Sequence, residues 1–201
     1  MSERRQGLVY LHGFNSSPAS HKAHQFVDYC QARGLRDISV PALSPDPAEA
    51  IAQVERYIEA RGAGSIALLV GSSLGGFYAT WLAQRHGIKA ALINPAVAPG
   101  VRLEAEFLGP HRNLYTGEEY RFTHEHAAFL RGLAVRNISR PADFLVLLQT
   151  GDEVLDYRDA QRLYAGCQLV VQEGGSHAFD NFSAMLPRIL SFAGFAALVD
   201  A

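Results

Sequence analysis

The segment Gly71-Ser72-Ser73-Leu74-Gly75 sets a serine with a glycine two positions away on each side, the G-x-S-x-G spacing of a nucleophile elbow. Only Ser73 fits the frame, because Ser72 would need glycine at position 70, where Val70 stands. A hydroxyl is a poor nucleophile until a base takes its proton, so this motif implies acyl transfer only with a histidine and an acid beside it. Thr150-Gly151-Asp152-Glu153-Val154 and Gly174-Gly175-Ser176-His177-Ala178-Phe179 supply both, each just after an apolar run. The order Ser73, Asp152, His177 is one in which nucleophile, acid and base meet at strand ends. His177 is expected to act as general base toward Ser73 and then as general acid toward the leaving group, with Asp152 fixing the imidazole tautomer. Glu153, Asp156 and Asp180 read as a solvated loop face or as helix N-terminal charge near Arg158.

Leu11-His12-Gly13-Phe14-Asn15 follows the first apolar run. A glycine there lets backbone approach a substrate closely, and the N–H groups of Phe14 and Leu74 are expected to form an oxyanion hole. His12 is expected to buttress this loop without transferring protons. A phosphate-binding loop is the main alternative for the glycine-rich turn, but no lysine follows it and no G-x-G-x-x-G spacing is present. The pairs His21/His24 and His124/His126 lack the H-E-x-x-H pattern and a third ligand set by spacing. They read as exposed residues, so neither a metal nor a cofactor is expected. Tyr78 and Trp81 read as core.

These loops need elements to hold them. Short apolar runs at Leu8–Leu11, Ile38–Val40, Ile66–Val70, Ala90–Ile93, Phe144–Leu148 and Gln168–Val171 alternate with helical segments near 20–33, 47–61, 75–86, 158–165 and 183–198. Several runs are apolar without alternation, as in parallel strands covered on both faces. The pattern predicts an α/β chain with a mainly parallel sheet of about six strands flanked by helices, in one domain spanning 1–201. Ligands of such sheets bind beyond the carboxyl ends of the strands, where the serine, acid and histidine fall. The connection from Asn94 to Pro141 is roughly twice what one crossover helix needs. Its aromatic residues Phe107, Tyr115, Tyr120, Phe122 and Phe129 suggest a small cap within 96–140 that walls an acyl pocket. A satellite core packed on its own aromatics is the other reading.

A net charge of −2, spread along the chain, argues against nucleic-acid or acidic-membrane partners. Cys30 and Cys167 cannot form a disulfide framework and read as small buried residues in a reducing compartment. No signal-peptide core follows Arg4-Arg5, and no stretch is long enough to span a bilayer. The expected setting is cytoplasmic, with a small-molecule substrate as partner.

Several blocks together resemble the bacterial YqiA-like esterases. They are Leu11–Pro18, Val70–Gly76, Asn94-Pro95-Ala96, Tyr115-Thr116-Gly117, Gln149–Tyr157 and Gly174–Phe179. The resemblance implies a compact α/β-hydrolase fold acting on carboxylic esters or acyl thioesters, with Ser73, Asp152 and His177 as its catalytic residues. An acyltransferase or other-bond hydrolase on the same triad, or a non-catalytic binding module, are the alternatives, since a fold alone does not fix the acceptor.

Overall fold

All six apolar runs become strands. A computed structural model describes residues 7–199; the stretch ahead of Gly7, where no signal-peptide core is expected, lies outside the described residues. The first half of the chain forms β1 (Gly7–Leu11), α1 (His21–Ala32), β2 (Ile38–Ser39), α2 (Pro47–Arg61), β3 (Ile66–Ser72), α3 (Leu74–His86) and β4 (Ala90–Ile93). The second half forms α4 (Pro99–Glu106), β5 (Gly109–Arg112), β6 (Glu119–Phe122), α5 (His124–Gly132), β7 (Phe144–Gln149), α6 (Tyr157–Leu163), β8 (Gln168–Gln172) and α7 (Leu186–Phe192).

Six strands form one sheet in the order β2-β1-β3-β4-β7-β8, and every pairing in it is parallel. The chain runs outward from β1 to β2 on one side and to β3 on the other. The switch point therefore lies between β1 and β3, where a crevice opens beyond the strand ends. Register sharpens this: Leu11 pairs with Gly71, so the His12-Gly13 loop and the Ser73 turn leave the sheet side by side.

The central strands β1, β3, β4 and β7 are buried along their whole length, and alternation assigns each residue to a layer. Leu8, Tyr10, Leu68, Val70, Leu145 and Leu147 pack with Phe26 of α1 and Ile189 of α7. Val9, Leu11, Leu69, Leu92, Val146 and Leu148 face the other way, onto Val54 and Ile58 of α2, Phe77 and Leu82 of α3, and Leu130 of α5.

Local signals set the helix ends. Asp46 caps α2, accepting from the Ala48 N–H at 2.8 Å, with Pro47 in the first turn, where its missing N–H costs nothing. Gly87, at φ 70°, ends α3. The helix expected over 183–198 is instead broken into a 3-10 turn (Phe182–Met185), α7 and a second turn (Ala196–Leu198). Pro187 cannot donate back along a continuous helix, and Gly194, at φ 96°, ends it.

The long connection is built of regular elements. It holds α4, an antiparallel hairpin of β5 and β6, and α5, whose start is a capping box between Thr123 and His126. Among the described residues no helix is long and apolar enough to cross a membrane.

Candidate active site

Ser73 sits at the tip of the β3–α3 turn with φ 56° and ψ −119°, a strained conformation for a non-glycine residue. The flanking glycines are steric necessities. A Cβ on Gly71 would lie 2.3 Å from the Gly75 carbonyl oxygen, and one on Gly75 would lie 2.1 Å from that of Leu11. The turn is pinned from β4: the Ser73 N–H donates to the Ile93 carbonyl at 3.0 Å, and the Ser73 carbonyl accepts from the Ala96 N–H at 3.1 Å.

The loops after β7 and β8 bring the other two residues to the serine. Their approach is set by the Gly151 N–H donating to the Gly174 carbonyl at 2.8 Å, and a Cβ on Gly151 would come within 2.4 Å of the Gly175 oxygen. His177 Nε2 lies 3.0 Å from Ser73 Oγ. Its Nδ1 faces both carboxylate oxygens of Asp152, at 3.0 and 2.9 Å. The Asp152 side chain is only 2% exposed. Burial pushes its carboxyl up, but the hydrogen bond from His177 and the N–H groups of Leu155 and Val154 outweigh this and hold it below the ordinary range. An ionised Asp152 requires a proton on Nδ1, which leaves the Nε2 lone pair directed at the serine.

Phe14 and Leu74 flank the same spot. Neither N–H takes a backbone partner among the described residues, and Gly13 is close enough that its Cβ would lie 3.3 Å from Ser73 Cβ. His12 is 5% exposed. Its Nε2 accepts from the Leu43 N–H at 3.1 Å while Nδ1 lies 3.1 Å from the Gly13 carbonyl. Burial lowers its pKa, so a neutral ring ties the Gly13 loop to the segment after β2, the buttress expected.

An open cleft is lined by Gly13, Leu43, Leu74, Tyr78, Glu118 and Tyr120. Tyr78 is thus core and cleft wall together, at 3% exposure. Of the five aromatic residues of the long connection, Tyr120 alone is part of this lining. Phe107 and Phe122 pack edge-on against Phe14, at centroid distances of 5.5 and 5.8 Å. Phe129 packs half-buried on the core, and Tyr115 is exposed. Phe107 and Phe122 thus pack behind the Phe14 loop as part of the main apolar layer, and of the five expected to wall an acyl pocket only Tyr120 borders the cleft. The physical reason is burial: β6 turns Phe122 inward, to 1% exposure.

The model of an uncharacterised protein family, UPF0227, matches residues 7–194, a span that includes every loop just described. The chain belongs to the UPF0227 family. A UPF0227 protein of Serratia proteamaculans (strain 568) is 31% identical over 192 residues, covering 92% of this chain and 97% of that one. Two solved structures are similar in fold. Est1E from Butyrivibrio proteoclasticus, bound to ferulic acid, has a TM-score of 0.66 at 14% identity, covering 98% of this chain and 90% of that one. Mouse alpha/beta hydrolase domain-containing protein 10 has a TM-score of 0.67 at 16% identity, covering 96% and 89%. The fold is that of the α/β hydrolases.

This UPF0227 chain also engages residues that sequence reasoning set aside. Glu153 is not merely part of a solvated face: its Oε2 accepts from the His177 N–H at 2.9 Å. Asp180 accepts from the Ser176 hydroxyl at 2.7 Å, whereas Asp156 caps α6 as expected. Lys22 of α1 donates to the carbonyl of Ala178, next to His177, at 2.7 Å. Its contact spans the chain, so no local pattern could reveal it. His21 and His24 are exposed; His124 pairs with Glu104 at 2.8 Å, and His126 is half-buried as the second member of the α5 capping box. Among the described residues no three His, Cys, Asp or Glu side chains are grouped to hold a metal.

Proposed function

We propose that the protein is a serine hydrolase that cleaves a carboxylic ester or acyl thioester through an acyl-enzyme. The observation that carries this reading is the continuous chain from Ser73 Oγ through His177 Nε2 and Nδ1 to Asp152, with each link between 2.9 and 3.0 Å.

Ser73 Oγ attacks the substrate carbonyl as its proton passes to His177 Nε2, and Asp152 stabilises the resulting imidazolium. The carbonyl oxygen becomes an oxyanion and is met by the Phe14 and Leu74 N–H groups, already oriented when the charge develops. Collapse of the tetrahedral adduct expels the alcohol or thiol, which takes the proton from His177. Water then repeats the sequence with His177 again as base, releasing the carboxylic acid and restoring Ser73. The strained φ of Ser73 serves this chemistry by lifting Oγ clear of the sheet toward His177.

Two further lines support an acyl substrate. A cleft bordered by Phe14 and by Leu74, the residue after Ser73, lies beside the serine turn and offers room for an acyl group. Est1E, which is similar in fold, holds ferulic acid, a carboxylic acid. We place the enzyme in the cytoplasm, where Cys30 and Cys167 would remain thiols.

The test is fluorophosphonate labelling. Ser73 is expected to be modified once per chain, and Ser73→Ala to abolish both labelling and turnover of p-nitrophenyl butyrate. Label on Ser72, or turnover persisting in Ser73→Ala, would sink the reading.

A further inference from the structure

The block Asn94-Pro95-Ala96 stands out in the sequence, yet takes no part in the chemistry above. Asn94 follows β4 with φ 39°, a region asparagine tolerates better than most residues. It is 2% exposed and lies among all three loops of the site. Its chain neighbours hold the serine, through Ile93 and Ala96. Its side chain holds the other two loops. Nδ2 donates to the Ser176 carbonyl at 3.0 Å and more weakly to that of His177 at 3.4 Å. Oδ1 accepts from the Gln149 N–H at 3.0 Å, three positions before Asp152.

Gln149 extends the same network. It is 3% exposed, and its Oε1 accepts from the N–H groups of Ser176 at 3.1 Å and Asp180 at 2.8 Å. Its Nε2 donates to the Asp180 carbonyl and to Gln172 Oε1, both at 2.9 Å. The amide passes so close to Gly175 that a Cβ there would sit 2.1 Å from Oε1. The loop carrying His177 contains two glycines at positive φ, Gly174 and Gly175, and so has little stiffness of its own.

We propose that Asn94 and Gln149 are positioning residues: a buried amide clamp that fixes the His177 loop against the Ser73 and Asp152 loops. The proposal rests on the hydrolase reading of the site. Buried amides left without partners are costly, so their hydrogen bonds are satisfied in one loop placement and oppose others. Apolar packing could bury the loop but would not fix its register. Register matters because an error of about 1 Å in a reacting group can cost on the order of a hundredfold in rate.

Three variants and one measurement on the unaltered protein test this. Asn94→Asp keeps an acceptor for the Gln149 N–H but turns an oxygen toward two carbonyls; Asn94→Gly suits the φ and removes the side chain. Gln149→Glu keeps its acceptors and loses its donor. Each is expected to lower kcat for p-nitrophenyl butyrate roughly ten- to a hundredfold with KM little changed. The fluorophosphonate rate constant should fall in proportion, while labelling still ends at Ser73. The downfield proton resonance of the His177 Nδ1–H should weaken in all three. Folded variants with wild-type inactivation rates and an intact resonance would overturn the clamp, as would a raised KM at constant kcat. Should variants fail to fold, amide exchange in the wild-type protein decides. The Ser176 and Asp180 N–H groups should be protected despite their place in a loop, and fast exchange would refute the proposal. Turnover surviving in Ser73→Ala is a separate result, which removes the hydrolase reading without touching the clamp as a loop-fixing device.

Discussion

Asp152 is the residue whose environment most constrains the chemistry. Its carboxylate accepts from Val154 and Leu155 N–H groups at 2.9 and 2.8 Å as well as from His177, so it faces the imidazole in one orientation. Asp152→Asn should lower kcat by on the order of a thousandfold or more, because the histidine is then held in the wrong tautomer. Asp156→Asn should change kcat little, since Asp156 only caps α6. Comparing kcat for the two variants checks the assignment, and a larger loss at Asp156 would overturn it. A pH dependence of stability follows from the same carboxylate. Its pKa is depressed on folding, so its contribution is present above the unfolded value of about 3.9 and is lost as pH falls through the folded value. Urea midpoints measured from neutral to acid pH should therefore fall less steeply for Asp152→Asn than for wild type. That Ser73 and Asp152 come within hydrogen-bond distance of His177 was legible in the sequence, because elbow spacing and chain order are local or ordinal signals. Glu153 was not, because an exposed acid in a loop reads the same whether or not it meets a distant N–H.

At the scale of elements, the strands were legible to within a residue or two because central parallel strands are apolar on both faces. The 96–140 segment was not. The hairpin strands read Gly-Pro-His-Arg and Glu-Tyr-Arg-Phe, with exposed and half-buried positions interleaved and no apolar run to announce them. The α5 start was hidden because histidine, not glutamate or glutamine, completes its capping box. Sequence placed five aromatics in one connection but could not divide them by face, and the division separates two functions. Phe122 supports Phe14 from behind, so Phe122→Ala should cost about 3–5 kcal/mol of stability and lower kcat, since Phe14 supplies a proposed oxyanion donor. Tyr120 borders the cleft at the surface of the hairpin, so Tyr120→Ala should mainly alter KM and the ratio of butyrate to octanoate hydrolysis. Urea denaturation with kcat/KM for the two esters checks both. A Tyr120→Ala variant with unchanged ester ratios would remove the hairpin from substrate selection.

Across the whole molecule, the sheet separates two apolar layers that share no side chains, yet the site needs both. The layer of α2, α3 and α5 carries the elbow helix and the cleft wall. The layer of α1 and α7 carries Lys22, which holds the Ala178 carbonyl, and Phe179 and Phe182 beyond His177, buried to 3% and 2%. Ser73 is thus mounted from one side of the sheet and His177 from the other, with β3, β4 and β7 as the rigid partition. Core substitutions on opposite layers should then act independently on stability. Leu82→Ala on α3 and Phe26→Ala on α1, both fully buried, should cost about 2–5 and 3–5 kcal/mol respectively. They lie in different clusters, so the double variant should lose the sum to within about 0.5 kcal/mol. If each single variant still folds, its fluorophosphonate rate separates damage to the support of Ser73 from damage to the support of His177. Relaxation of α1 should slow labelling through Lys22 and the histidine loop, and Lys22→Met should reproduce part of that loss without the fall in urea midpoint. Strong non-additivity in the double variant would mean that the sheet transmits strain between layers, and the two-sided mounting would fail.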